Sequence, residues 1–447
     1  MVETVFALSS APGRAGVAVI RASGAAAGKA LCQLTGKPLP VPRTAVVRVL
    51  KDPRNGEDID RAIVLWMPGP GSFTGEDTAE FHVHGGRAVV AAMLDALGAV
   101  EGCRLAEPGE FARRAFEAGR IDLTEAEGLA DLIDAETQAQ RRQALRQAGG
   151  ALLRQAEYWR TRLIATMALV EAAIDFSDED DVASDALRQA EICAEGLKEE
   201  IVARLDDEHR GEIVREGFRV ALLGPPNAGK SSLLNALALR EAAIVSDEPG
   251  TTRDPIEVRL DIGGQVVIVT DTAGLREASG LVEREGIRRS IEVARRADLA
   301  VMLFEAGREW VTPAAAGSVL ELPDGAVVKV ASKADLMLEG ERQRLPEGML
   351  PVSVKTGEGL AQFIEQIGVL VSARAEGGEP AIVTQARHRQ HLEASSGHLA
   401  AFLRGVGDIE LRAEDLRLAA AELGRLVGRV DAEDVLGQIF SRFCIGK

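Results

Sequence analysis

A lysine and a serine behind a run of glycine, proline and asparagine are the first residues in the chain that could do chemistry. Gly224-Pro-Pro-Asn227-Ala228-Gly229-Lys230-Ser231 fits the spacing G-x-x-x-x-G-K-[ST] and runs on into Ser232. Glycines let such a loop turn its N–H groups onto a phosphate. Lys230 is then the catalytic cation bridging β and γ oxygens, and the Ser231 hydroxyl is a Mg²⁺ ligand. Asp271-Thr272-Ala273-Gly274 fits D-x-x-G, whose aspartate reaches Mg²⁺ through water and whose glycine N–H senses the γ-phosphate. Gly250-Thr251-Thr252-Arg253-Asp254 lies between the two, where a threonine completes the Mg²⁺ shell. Ser332-Lys333-Ala334-Asp335 resembles N-K-x-D, with Asp335 accepting the guanine N1 and N2 protons, and Ser353-Val354-Lys355 resembles the S-A-K loop that closes over the base. The expected nucleotide is therefore GTP rather than ATP.

Two departures from these patterns carry information. Ser332 stands where asparagine is usual, so one hydrogen bond to base or phosphate loop is shortened or lost, at about 0.5–1.5 kcal/mol. Leu275 follows Asp-Thr-Ala-Gly where a water-orienting glutamine is expected, and leucine cannot position water. Another polar group must do so, and Glu277, Glu283 and Glu285 are the nearby acidic candidates.

These motifs need elements to hold them. The loop stands between an apolar run at 220–223 and a helical run at 232–239. Further strands are expected at 266–270, 299–304, 326–331 and 350–354, alternating with helices, which predicts a mostly parallel sheet. Upstream, 4–118 reads as a small α+β domain with strands at 17–20, 44–50, 62–67 and 79–84 and a helix at 88–97. His82 and His84 share one strand face. With no third ligand at workable spacing they read as structural or pocket-lining. From 121 the chain is rich in helix formers and free of proline up to Pro225, with Asp122 or Thr124 as the first cap. Trp159, Leu163, Met167, Val170 and Ile174 mark one helix face for a bundle core, and 175–181 is an acidic break expected to be a solvated loop. The chain turns helical again from 387. One helical domain with an α/β module inserted into it accounts for this order.

Composition bounds the rest. The 447 residues suit two or three domains, and 46% hydrophobic with 27% charged residues is ordinary for a chain with a proper core. No apolar run approaches a membrane span of roughly 18 residues. The first thirty residues are interrupted by Glu3, Arg14 and Arg21, so no secretory layout is expected and cytoplasm is the expected compartment. Cys32, Cys103, Cys193 and Cys444 are scattered without metal spacing and read as reduced thiols. A net charge of −17 argues against a stand-alone nucleic-acid binder, so any such contact is local or shared with a partner.

Taken with GRAGVAVIRASG, SFTGEDTAEFHVHGG, PGEFARRAFEAGRIDLTEAEGLADLID, EAAIDFSDEDD and the terminal FCIGK, the chain resembles the MnmE (TrmE) family over essentially its whole length. The resemblance implies a multidomain α/β plus α+β protein: an N-terminal folate-binding and dimerisation domain (1–119), a discontinuous α-helical domain (120–215 and 373–447), and an inserted Ras-like P-loop G domain (216–372). It implies a K⁺-activated GTPase with Asn227, Ser246, Glu248 and Thr251 on potassium, Thr252 joining Ser231 on Mg²⁺, and Glu283 orienting the attacking water. It implies 5-formyl- or 5,10-methylene-tetrahydrofolate at Arg21, Glu80, Arg120 and Lys447, with Cys444 as a catalytic thiol. A homodimer joined by an FAD-dependent partner into a heterotetramer, acting on carbon 5 of the tRNA wobble uridine, is the implied assembly. A ribosome-assembly or signalling switch, and a folate transferase without GTP coupling, are the alternatives.

Overall fold

Alternating apolar residues open the chain and build its first sheet. The computed structural model describes the chain except residues 1–2, 177–179, 208, 226, 241, 245–256, 272–291, 306–326, 376–378, 431–435, 438, 441–442, 444–445 and 447. It divides into two units: Met1–Ala130 with Gln147–Ala194 and Gly397–Lys447, and Asp131–Arg146 with Glu195–Ser396.

In the first unit, β1 (Thr4–Leu8), β2 (Ala15–Ser23), β3 (Val46–Lys51), β4 (Asp58–Met67), β5 (Thr78–Gly85) and β6 (Cys103–Leu105) form a six-stranded sheet in the order β3-β4-β5-β2-β1-β6. Only the β1–β6 pairing is parallel. Along β4, Ala62, Val64 and Trp66 are buried while Arg61 and Ile63 face out, the period of two that one covered face requires. The helices Ala27–Thr35 and Arg87–Gly98 supply that cover, with Phe6, Ile20, Leu31, Leu34, Phe81, Met93 and Leu97 in the core. Of these helices, Ala27–Thr35 was passed over by the sequence reading, as was a further helix, Glu110–Glu117.

The helix Leu123–Asp134 is capped by Asp122. Its Oδ1 accepts from the N–H groups of Thr124 at 2.6 Å and Glu125 at 3.1 Å, and Glu125 returns a carboxylate oxygen to the Asp122 N–H at 3.0 Å. This is a reciprocal capping box, so Asp122 is the cap and Thr124 only adds its hydroxyl to it. In the helix Ala151–Asp175 the buried face is Leu152, Ala156, Trp159, Leu163, Thr166, Val170 and Ala173, packed on the helix Ile409–Val427. The expected Met167 and Ile174 are only half-buried, each displaced by its neighbour. Alternating steps of four and three keep one seam facing the partner helix, and the Thr166 hydroxyl escapes a burial penalty by donating to the Arg162 carbonyl at 3.0 Å.

In the second unit, β7 (Phe218–Leu223), β8 (Glu257–Ile262), β9 (Gln265–Asp271), β10 (Leu299–Glu305), β11 (Val327–Ser332) and β12 (Met349–Val352) stand in the order β12-β11-β10-β7-β9-β8. All pairings are parallel except β8–β9, a hairpin joined at Gly263-Gly264. Every residue of β9 is buried, as expected of a strand covered on both faces. The mostly parallel expectation holds for five strands, and β8 is the addition. Its alternation of charged and apolar residues suits an antiparallel edge rather than a buried parallel strand.

Candidate functional site

The chain leaves β7 for β8 and β9 on one side and returns to β10, β11 and β12 on the other, so β7 is the switch point of the second sheet. Ligands of open α/β sheets bind outside the carboxyl ends of the strands at such a point. The loop 224–229 springs from the end of β7, and Asp271, Ser332 and Ser353 lie at or just past the ends of β9, β11 and β12. The topology therefore delivers the phosphate, metal and base motifs to one rim.

Gly224 has φ 155°, and a Cβ there would stand 2.5 Å from the Leu303 carbonyl oxygen, so the loop can pass β10 only as glycine. Asn227 adopts φ 65°, a left-handed conformation that asparagine tolerates. Gly229 then precedes the helix Lys230–Ala238, whose N-terminal end meets the loop. Ala228 is buried beneath the loop, while Asn227, Ser231 and Ser232 are on its exposed side. The Lys230 ammonium, itself buried, donates to the carbonyls of Gly224 and Pro225, each at 2.9 Å, which folds the side chain across the loop.

The Ser231 hydroxyl donates to Asp271 Oδ2 at 2.5 Å, and Asp271 is fully buried at the end of β9. A hydroxyl and a carboxylate held together beside a phosphate loop are hard oxygen donors of the kind Mg²⁺ takes, so these residues fit that ion. Thr252, Thr272, Ala273, Gly274 and Glu283 lie outside the described residues, as do Ser246, Glu248 and Thr251, which leaves Asn227 as the described member of the potassium set.

At the base end, Lys333 takes φ 57° and turns the chain so that Asp335 follows in a short 3₁₀ turn, Ala334–Leu336. Asp335 Oδ1 accepts from the buried Ser353 hydroxyl at 2.6 Å. That hydroxyl, with the charge of exposed Lys355 behind it, holds the Asp335 carboxyl below its ordinary value of 3.8. Lys333 Nζ pairs with Glu305 of β10 at 2.7 Å. The Ser332 hydroxyl donates to the Phe304 carbonyl at 3.1 Å. Asp335, Ser353 and Lys333 are thus brought together, while Ser332 is turned into the sheet.

In the first unit, Arg21 and Glu80 face each other across the β2–β5 register. Arg21 donates to Glu80 Oε1 through Nε at 3.0 Å and Nη2 at 2.9 Å, and His82 Nε2 stands 3.2 Å from the other oxygen. The guanidinium lies 5.9 Å from the Phe73 ring centre and 5.7 Å from that of Phe111. Arg120 borders the same loop, its Cγ 3.6 Å from where a Cβ on Gly75 would be. Cys444 and Lys447 lie outside the described residues. His84 is taken by Asp60 at 2.8 Å, and among the described residues no group of three or more His, Cys, Asp or Glu could hold a metal.

Sequence reasoning missed the buried network behind this pocket. Arg114 donates to Glu76, to Glu110 and to the Glu3 carbonyl, and Ser23 ties Glu76 to Thr74. Burial raises the Glu110 carboxyl, but Arg104, the Glu107 N–H and Arg114 outweigh it and bring it down to about 2. The signal was the pairing of Glu110 and Arg114, one turn apart in a short helix whose other buried residues are Phe111, Ala112 and Ala115.

Comparison with known proteins agrees with this geometry. A family model described as the MnmE helical domain matches residues 123–444, and one described as the GTP-binding protein TrmE N-terminus matches residues 4–120. Proteins named tRNA modification GTPase MnmE are similar over the full chain: 52% identity in Parvibaculum lavamentivorans, with 100% of each chain covered, and 50% in Paramagnetospirillum magneticum, again with 100% of each. The relative from Beijerinckia indica is 50% identical over 100% of this chain and 96% of its own. The chain belongs to the MnmE family of tRNA modification GTPases.

Proposed function

We propose that the chain is a K⁺-activated GTPase that acts with an FAD-dependent partner to add an aminomethyl or carboxymethylaminomethyl group to carbon 5 of the tRNA wobble uridine, drawing one carbon from a tetrahydrofolate. The observation that carries the GTPase part is the gathering of Lys230, Ser231, Asp271 and Asp335 at the switch point of one sheet. Asp335 reads the guanine edge, fixed by Ser353. Lys230 and the N–H groups of the loop hold the phosphates, with Asn227 through Ser232 around them. Ser231 and Thr252 would ligate Mg²⁺, with Asp271 reaching it through water, and the ion would neutralise phosphate charge. Asn227, Ser246, Glu248 and Thr251 are the proposed potassium ligands, and Glu283 the residue that orients water.

The first unit supports the folate and dimer parts. Arg21, paired with Glu80, offers a fixed guanidinium close to two aromatic rings, which suits a ligand with both a planar ring and carboxylates, and Arg120 is the further proposed contact. Lys447 and Cys444 are assigned to the same pocket. On the outer face of the sheet, Val47 and Ile63 pair across β3–β4 and are 55% and 42% exposed, with Val49 beside them. An apolar face of that kind favours a second copy of the chain. The domains are proposed at 1–119, 120–215 with 373–447, and 216–372, and the work is cytoplasmic, in a heterotetramer with the FAD-dependent partner. No helix among the described residues is long and apolar enough to cross a membrane.

Mass analysis of wobble nucleosides from a strain lacking the gene tests the whole reading. Loss of the modified uridine, restored by the wild-type chain and not by Asp271→Ala, is expected. Unchanged nucleosides favour a ribosome-assembly or signalling switch, and full rescue by Asp271→Ala favours folate chemistry uncoupled from GTP.

A further inference from the structure

Ser332 closes β11 where the base motif meets the phosphate loop. It is buried, and its hydroxyl donates to the Phe304 carbonyl at 3.1 Å. The β10–β11 register sets Phe304 beside Ala331 and Glu305 beside Ser332, so this bond lies inside the sheet. A hydroxyl has a single proton, and here it is committed to β10. A Cβ placed on Gly229 would stand 3.8 Å from the Ser332 Cβ and 3.9 Å from its Oγ. The side chain therefore lies beside the last residue of the loop, across the space a Cβ on Gly229 would occupy, and, among the described residues, donates nothing to it. Lys333 turns the same way, its ammonium on Glu305 at 2.7 Å. The polar groups of both residues ahead of Asp335 go to β10 rather than to the loop.

We propose that Ser332 is an affinity-determining residue that quickens nucleotide release, because the base-reading strand end and the phosphate loop are neighbours that are not hydrogen-bonded through it. An amide at this position has two donors on a longer arm, enough to keep one partner in the sheet and reach the loop with the other. Without that tie the loop is ordered by the nucleotide itself, and the ordering entropy is recovered on release. The inference rests on the reading of this rim as a guanine-nucleotide site.

The test follows release of fluorescent mant-GDP with Mg²⁺ from the full chain, chased by unlabelled GDP, in wild type and Ser332→Asn. Release from S332N is expected to be roughly two- to tenfold slower, the range one added hydrogen bond gives. The mant-IDP analogue, which lacks the 2-amino group, is expected to slow by the same factor. Unchanged or faster release from folded S332N overturns the inference, as does slowing confined to the guanine analogue, because the residue would then act on the base edge. The wild type supplies an arm that needs no substitution: amide exchange in the loop should fall sharply when GDP binds. Loop amides already as protected without nucleotide would mean that the tie exists, and would overturn the proposal. Absence of saturable mant-GDP binding to wild type would sink the guanine reading itself, whereas tight binding that S332N leaves unaltered removes only the role of Ser332.

Discussion

At the scale of single residues, the account depends on where protons are donated. Asp335 can read guanine only as a carboxylate, and the Ser353 hydroxyl donates to it at 2.6 Å. A carboxyl held below its ordinary 3.8 stays charged further into acid; the binding it confers is complete above the ordinary value and is lost only as pH falls through the lowered one. Ser353→Ala removes the donor, so the Asp335 pKa rises toward its ordinary value. The variant should bind mant-GDP a few-fold more weakly at neutral pH and lose binding at a higher pH than wild type on acid titration. Superimposable pH profiles would show that Ser353 does not govern Asp335. Ser332 illustrates the limit of motif reading. The missing asparagine was plain in the sequence, but the direction its replacement donates depends on a carbonyl of the neighbouring strand, 28 residues earlier in the chain.

At the scale of elements, the helix Glu110–Glu117 shares an apolar seam, made by Ala112, Leu123, Ile439, Phe440 and Phe443, with the start of the helix Leu123–Asp134 and with the described residues near the end of the chain. Gly109 opens the first of these at φ 68°, and an added Cβ would collide with the Phe440 carbonyl oxygen and stand 2.8 Å from its Cβ. Gly109→Ala should therefore destabilise the first unit by about 1–3 kcal/mol, combining left-handed strain with overpacking. Denaturant unfolding of the full chain reads this, with mant-GDP affinity as the control expected to stay constant. An unshifted unfolding midpoint would mean that the approach of Phe440 is not constrained there. Elements with a strong period were legible before the structure: the central strands, the helix after the phosphate loop, and the helix Arg87–Gly98 of the α+β unit. Those that were not lack a local signal. β8 has mixed charge because it is an edge, β6 is three residues long, and the seam of Ala151–Asp175 runs through a threonine and an alanine that only packing selects over methionine and isoleucine.

At the scale of the whole molecule, a net charge of −17 has to be squared with work on tRNA. The proposed sharing of the substrate surface with a partner protein is consistent with this, since neutralising phosphates takes local positive charge that the chain as a whole lacks. The order of motifs along the chain was legible, and so was the rim they would share, because parallel sheets deliver every strand-end loop to one side. The Arg114–Glu76–Glu110 network was not, because Glu76 comes from a stretch well apart from the helix of Glu110 and Arg114, and only the fold unites them. The central claim is that this rim hydrolyses GTP, and does so with a potassium ion supplying positive charge to the transition state. GTP turnover by the full chain at matched ionic strength in KCl and in NaCl, with ATP as the control nucleotide, tests it most directly. The account predicts rapid turnover of GTP in KCl, slow turnover in NaCl and none of ATP; equal GTP rates in the two salts, or turnover of ATP at a comparable rate, would contradict it.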